Sequence, residues 1–483
     1  MRRVIQYFPF IILVFCVLVF RNHPSSTGEE LYPLLPMPDI SEMKSIMVFA
    51  PHPDDETLAC GGLIAEARSR NIPVTVVVVT NGESFSYAAH IHYKKIILPP
   101  SYYIKFGEKR QKETLSAMKL LGVSSNDVIF LGYPDSDLRL LWESYWGFNQ
   151  LYTHTLLRTR FSPFQNIYRK NAPYCGASLL EDIKELLIKH RPDYVFIPSA
   201  EDAHPTHWAV NCFCVMALEE LKEQRGYSPK IFTYLVHRGR FPYPRAINLR
   251  EVIKPPSSLL GIGIHWRTLP LSQSIVELKY EAIKQYKSQL LPRMKLFMFS
   301  FARQNELFAE EKEAVHLPFV NKGRIKIDGK IEDWTGIPPF IIDPQKDTLI
   351  HRLEPSADIA YIYACQDEDN LYLMLKLSGK PSREVKCYFN ILGVEEKGDE
   401  RLRLKKEVRA GKNYEGLEIA IPLPTLKDNK LLFIGATTNY GTITVDKSAY
   451  RVAILKNTLH KLVHHSGKKN VHSHLLNINL HRF

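Results

Sequence analysis

Cysteine is scarce and scattered in this chain. Seven thiols in 483 residues, at Cys16, Cys60, Cys175, Cys212, Cys214, Cys365 and Cys387, form no CxxC pair and no regular framework, which excludes a disulfide scaffold. Cys60 lies on an apolar face with no base placed beside it, so it reads as a packed thiol rather than a nucleophile. Missing too is any run of Lys and Arg interleaved with stacking aromatics. The net charge of +12 is therefore not the mark of a nucleic-acid partner, and it suits anionic envelope polymers or lipid headgroups instead. No small-x-small cleavage site follows the apolar run 4–20. That run, preceded by Arg2 and Arg3, reads as an uncleaved signal-anchor that holds the protein to a membrane with the rest of the chain exported; cleavage would make it secreted. The tail from His460 carries His464, His465, His472, His474 and His481 at irregular spacing. No carboxylate or cysteine accompanies them, so it reads as a mobile basic tail without a second metal site.

What is present is enough apolar material, 45% of 483 residues, for two cores. From residue 45 onward, strand-like runs (45–50, 74–80, 128–131, 194–198) alternate with helical patterns (63–69, 108–121, 179–189). This predicts an α/β fold, a Rossmann-like, mostly parallel sheet with helices on both faces. The aromatic-rich segments 84–106 and 142–174 are too long for ordinary connections and read as functional loops. A helical stretch is expected over 277–313. After residue 317 the texture becomes short β-type runs at 324–327, 359–364, 370–377, 385–391, 417–421, 432–437 and 449–454, which predicts an all-β sandwich. The organisation read from the chain is an N-terminal segment 1–25, a linker 26–42, an α/β domain 43–315, a sandwich 318–456 and a tail 457–483.

The chemistry concentrates at two strand ends. Pro51-His52-Pro53-Asp54-Asp55-Glu56 follows the first apolar run, and His204-Pro205-Thr206-His207 follows the run at 194–198. Open α/β sheets bind ligands outside the carboxyl ends of their strands, and imidazoles with paired carboxylates there point to a metal. Asp54 and Asp55, on extended backbone, are expected to point in opposite directions. Between the two motifs lie Asn81-Gly82-Glu83, Arg110 with Glu113 on a helical pattern, and Phe130-Leu131-Gly132-Tyr133-Pro134-Asp135.

In order and spacing these pieces resemble the LmbE-like/PIG-L family of zinc-dependent N-acetylglucosaminyl deacetylases over roughly residues 43 to 310. The resemblance implies Zn2+ held by His52, Asp55 and His207, with Asp54 as general base and His204 in an electrostatic and acid role. It places Arg110 and Asp135 among substrate-contacting residues and implies an N-acetylated glycan or glycoconjugate as substrate. Glu56 reads as a capping or supporting group. The chain departs from the family at Thr206, where Asp is usual: a hydroxyl can orient the neighbouring imidazole but not stabilise its charge as strongly. Asn81 also stands where Asp is frequent.

The segment 327–334, with 358–364 and 369–373, resembles family-9-type carbohydrate-binding modules. Tyr361, Tyr363 and Tyr372 then either stack on sugar rings or pack the sandwich. As an appended module the sandwich is expected to raise local substrate concentration and to be dispensable for folding of the deacetylase. Two other readings stand beside the exported deacetylase: a catalytically impaired surface glycan-binding protein, motivated by Thr206 and the sandwich, and a cytoplasm-facing deacetylase of a lipid-linked glycan.

Overall fold

Runs of β-branched residues make the central strands, because branched side chains fit a pleated sheet covered on both faces. β3 (Val74–Thr80, sequence VTVVVVT) is buried along its whole length, as are β2 (Ile46–Ala50) and β5 (Tyr194–Pro198). The computed structural model describes residues 34–456, except 293, 349–353, 398–399, 410, 412–413 and 428. The apolar segment 4–20 and the histidine-rich tail lie outside the described residues. Among the described residues no helix is long and apolar enough to cross a membrane.

The remaining elements of the first domain are β1 (Leu35–Pro36), α1 (Asp55–Ser69), α2 (Ser86–Tyr93), α3 (Pro100–Leu120), β4 (Val128–Tyr133), α4 (Leu138–Glu143), α5 (Gly176–His190), α6 (Pro205–Arg225), β6 (Lys230–Tyr234), β7 (Trp266–Pro270), α7 (Gln273–Ile283), α8 (Lys295–Phe299) and β8 (Asn305–Glu310). The eight strands form one sheet in the order β1-β7-β8-β6-β5-β2-β3-β4. The pairs from β6 to β4 are parallel, and β8 runs antiparallel to both its neighbours. Two groups of helices flank the sheet, α1 with α3 and α7, and α4 with α5 and α6. From β2 the chain winds outward through β3 and β4, and from β5 it winds the other way through β6. The winding therefore reverses between β2 and β5, which opens a crevice at their carboxyl ends.

The sandwich contains β9 (Val315–His316), β10 (Ile341–Ile342), β11 (Ile359–Gln366), β12 (Asn370–Leu377), β13 (Val385–Lys397), β14 (Glu400–Val408), β15 (Leu417–Pro422), β16 (Leu431–Tyr440), β17 (Ile443–Lys447) and β18 (Arg451–Ile454). One sheet runs β10-β11-β12-β15 and the other β14-β13-β16-β18-β9, with β17 also paired to β16. Leu371, Leu373 and Leu375 of the first face Phe389, Ile391 and Ile434 of the second in a common core.

Several sequence expectations shift. Segment 84–106 is not a long loop: it holds α2 and the first turns of α3, started by Pro100 at N1. The helical pattern at 277–313 breaks into α7, α8 and the strand β8, whose buried Asn305 and Glu306 disguise its strand character. Residues 324–327 form no strand, because side chains hold them as a loop: Arg324 donates to the Thr335 carbonyl, and Asp333 accepts the Lys326 N–H. β14, with Lys405 and Glu407 exposed, is a charged edge strand that hydrophobic patterning passes over.

The sandwich is not a detached bead. Leu392, Val394, Leu431, Phe433 and Val452 share one core with Trp142 of α4 and with Trp208 and Phe213 of α6. Arg401 reaches Glu220 of α6 at 2.5 Å, both side chains almost fully buried, and Lys447 meets Glu143 at 2.5 Å. The expectation of a sandwich dispensable for folding therefore meets a continuous apolar contact. Tyr372 is packed and donates to Asp367, whereas Tyr361 and Tyr363 are half-buried.

Candidate metal centre and active site

Pro51 and Pro53 end β2, because proline cannot continue a ladder or a helix interior. The chain then turns sharply at Asp54, which has φ 118° and ψ −30° and caps α1 from outside. A non-glycine residue at such a φ costs about 1–3 kcal/mol and persists where the surroundings impose it. Here the Asp54 carbonyl accepts the N–H groups of Thr57 and Leu58, and its own N–H donates to Glu56 Oε2 at 3.2 Å. Glu56 is thus the supporting group expected, and Tyr286 of the segment after α7 donates to it. Asp54 and Asp55 part company through this kink and the first turn of α1, not through extended backbone as anticipated.

Asp55 is the centre of the cluster. Its Oδ2 lies 3.0 Å from His52 Nδ1 and 3.0 Å from His207 Nε2, and its Oδ1 is buried without a partner. Each histidine turns its far nitrogen to another carboxylate. Asp135 Oδ1 lies 3.1 Å from His52 Nε2, and Asp202 Oδ2 lies 3.2 Å from His207 Nδ1. A carboxylate behind an imidazole fixes its tautomer and aims the opposite nitrogen, the arrangement found around metal-ligating histidines. The donor set N, O, N with an orphaned carboxylate oxygen fits zinc. Nitrogens of His52, His204 and His207 lie within 4.8 Å of one another, and so do donor atoms of Asp55, His207 and His237, so His207 is common to both groupings.

The electrostatics follow from burial and crowding. Burial lowers the His52 pKa, but Asp135 and Asp55 outweigh it and hold it at about 9. Burial likewise works against charge on His207, and Asp202 and Asp55 raise it to about 10. Both rings thus favour bound protons in the places where a cation of higher charge would compensate the same carboxylates. His204 goes the other way: burial and the neighbouring His52, His237 and His207 press it well below the ordinary value.

Asp54 stands beside this centre and is gripped by Arg110, whose Nη2 lies 3.1 Å from Asp54 Oδ2 and 2.7 Å from the Pro53 carbonyl. Arg110 Nη1 donates to the Gly82 carbonyl at 2.8 Å. Gly82 has φ +62°, and a Cβ there would fall 1.7 Å from Arg110 Nη1. Burial raises the Asp54 pKa, Arg110 opposes it, and Asp55 and Glu56 add to it, leaving it at about 8. His204 Nδ1 accepts the Thr206 N–H at 3.3 Å, so the backbone of residue 206, not its hydroxyl, orients this ring. Thr206 Oγ1 is buried without a partner.

All seven residues singled out from the sequence therefore meet at the crevice. Arg110 and Asp135 are each only 4% exposed and already engaged with Asp54 and His52, so their contacts are with the machinery. Sequence reasoning missed Asp202 and His237. Asp202 accepts the N–H groups of His204, Val236 and His237, tying the β5 and β6 strand ends together. His237, whose ring stacks on Phe297, follows β6; its signal was a histidine just beyond a third apolar strand. The segment 142–174 contributes His154, fully buried at 3.2 Å from Glu83, which in turn accepts the Asp135 N–H.

A family model described as PIG-L, GlcNAc-PI de-N-acetylase, matches residues 47–218. A curated protein of Nocardia farcinica (strain IFM 10152), 1D-myo-inositol 2-acetamido-2-deoxy-alpha-D-glucopyranoside deacetylase, is 62% identical over 32 residues, 7% of this chain and 11% of that protein. Among solved structures, N,N'-diacetylchitobiose deacetylase from Pyrococcus horikoshii is 18% identical with a TM-score of 0.35, over 56% of this chain and 84% of that one. The conserved protein TT1542 from Thermus thermophilus is 20% identical with a TM-score of 0.33, over 56% and 97%. The match to this family model spans β2 to most of α6, the stretch that carries every site residue except His237.

Proposed function

We propose that this chain is a zinc-dependent hydrolase that removes the acetyl group from N-acetylglucosamine-type units of a glycan or glycoconjugate. The observation that carries the reading is the convergence of His52 and His207 on Asp55, each ring backed by its own carboxylate, with a separate carboxylate, Asp54, held alongside. Zinc held by His52, Asp55 and His207 would supply Lewis acidity, lowering the pKa of a water from 15.7 to about 7.

The chain's own groups do the rest. Asp54 takes the proton of the attacking water; its burial and the neighbouring Asp55 and Glu56 carboxylates raise its proton affinity above that of an ordinary carboxylate, while Arg110 opposes them, which suits a base. Arg110 holds that carboxylate in place through Nη2. His204 accepts a backbone N–H at Nδ1, which puts the proton of the neutral ring on Nε2. A neutral ring with its proton there is a hydrogen-bond donor to the oxygen that becomes negative as the acetamide carbonyl is attacked. The amide C–N bond then breaks, acetate leaves, and the proton taken by Asp54 returns to the amine. The strained turn at Asp54 fits such a role, since functional sites are where backbone strain is retained.

The substrate class rests on the family's description and on the sugar named for the Nocardia relative. Membrane anchoring through residues 4–20, with the catalytic domain exported, belongs to the same proposal and rests on the sequence. The test is elemental analysis of the purified full chain. About one zinc per chain is expected, lost in His52→Ala, Asp55→Ala and His207→Ala. Full zinc occupancy in a variant lacking all three side chains would remove the ligand assignment.

A further inference from the structure

A second cluster of acidic groups lies in the sandwich, away from the proposed zinc ligands. Asp343 follows β10, Asp347 is four residues on, and Asp446 is in β17; one carboxylate oxygen of each lies within 4.8 Å of the others. Asp343 is 2% exposed and Asp446 8%. Asp446 is fixed from behind: its Oδ2 accepts the Ile359 N–H at 2.7 Å and its Oδ1 the Lys447 N–H at 2.8 Å. Asp343 is different. Its Oδ2 is buried with no hydrogen-bond partner, although the residue belongs to this converging group. A buried carboxylate oxygen left unpaired is costly and is rare without an ion or proton to satisfy it.

Among the described residues the charge does not balance within the cluster. Among the described residues, the cation seen to reach it is Arg238, whose Nη2 lies 3.0 Å from Asp347 Oδ2. One guanidinium faces three carboxylates, and Glu201 and Asp358 add further negative charge nearby. We propose that Asp343, Asp347 and Asp446 form a binding site for a hard divalent cation of the Ca2+ class. The donors are all carboxylate oxygens, and no imidazole or thiol is among them, which selects calcium-like ions over zinc. Calcium also tolerates an irregular shell completed by water better than magnesium, which demands near-octahedral geometry. In the cation's absence, burial and the neighbouring carboxylates push Asp343 and Asp446 well above the usual range, and burial, partly offset by Arg238, raises Asp347 to about 6.

The site joins the two halves of the molecule. Arg238 also donates through Nη1 to the Glu201 carbonyl at 3.1 Å, and Glu201 precedes Asp202, which backs His207. Cation binding in the sandwich therefore bears on the segment that positions the deacetylase histidines, while the zinc ligands themselves take no part in it.

The experiment is calorimetric titration of the intact, zinc-loaded protein with CaCl2, paired with thermal unfolding. One Ca2+ per chain is expected, with a rise in Tm of a few degrees at about 100 times Kd. Asp347→Asn, at the partly exposed rim, should weaken Ca2+ binding at least about tenfold while acetate release without Ca2+ stays unchanged. Asp343→Asn should abolish the Ca2+-dependent rise in Tm yet unfold, without Ca2+, at the same or a higher temperature than the parent, because it removes repulsion. A carboxylate with only a structural role would instead lower that temperature. If Asp343→Asn does not fold, Asp347→Asn decides alone. No heat and no Tm change with Ca2+ up to about 5 mM, or unchanged affinity in Asp347→Asn, would overturn the proposal.

Discussion

At the scale of single residues, Asp202 shows how much of this site depends on groups that never meet a substrate. It sits two places before His204 yet backs His207, and three backbone N–H groups hold it there. Carboxylates behind metal-ligating histidines typically contribute 10- to 100-fold in affinity. Asp202→Asn should therefore weaken zinc by about that factor, measured by competition with a chelator, without removing any ligand. Wild-type affinity in this variant would mean the 3.2 Å contact does no orienting work. The proposed ligands and base were legible as candidates in the sequence because these four groups, His52, Asp54, Asp55 and His207, stand in two short motifs at strand ends. Asp202 and His237 were not, because what gives them meaning is the adjacency of β5 and β6, and one chain pattern does not announce which strand ends will be neighbours. Thr206 misled in a different way. The orienting bond to His204 comes from its backbone, which any residue supplies.

At the scale of elements, the turn after β3 makes room for the arginine that grips Asp54, the proposed base. Gly82 lies in the left-handed region and leaves room for the Arg110 guanidinium to reach Asp54. Gly82→Ala should cost about 1–3 kcal/mol of stability through strain and overpacking. It should also displace Arg110, lowering kcat/KM well beyond what the loss of folded protein explains; kinetics on the folded fraction checks this. Unchanged kcat/KM there would mean Arg110 is not what places Asp54. The parallel strands β2, β3 and β5 were readable because they are buried on both faces and so appear as unbroken apolar runs. Elements with mixed exposure were not. α1 begins at Asp55, eight residues before its apolar pattern becomes visible at Leu63, because its first turn is given over to the site. β8 carries a buried Glu306 that accepts the N–H groups of Gly62 and Leu63 and pairs with Lys279 at 2.6 Å, a tertiary arrangement that overrides the strand pattern.

At the scale of the whole molecule, the sandwich and the α/β sheet are joined by a shared core around Trp142, Trp208, Phe213 and Phe433 and by the buried Arg401–Glu220 pair. Neither half alone covers these apolar surfaces. Calorimetric unfolding of the full chain should therefore give a single transition, and a chain ending at residue 315 should be unstable or aggregate, since it exposes that face of α4 and α6. Two separated transitions, with a soluble truncated chain, would restore the picture of an independent appended domain. The domain order was legible from the change of texture near residue 317, but the fusion was not: a core that spans two domains has no periodicity of its own.

The function proposed for this crevice is metal-dependent N-deacetylation with Asp54 as the base. It is tested most directly by measuring acetate released from N-acetylglucosamine-bearing substrates, from small sugars to polymers and glycolipids, by the intact protein. The account predicts release that is lost on chelation and restored by zinc. It further predicts that Asp54→Asn, keeping its zinc, is slower by about 100- to 10,000-fold. Acetate release that survives chelation, or an Asp54→Asn enzyme as fast as the parent, would contradict it.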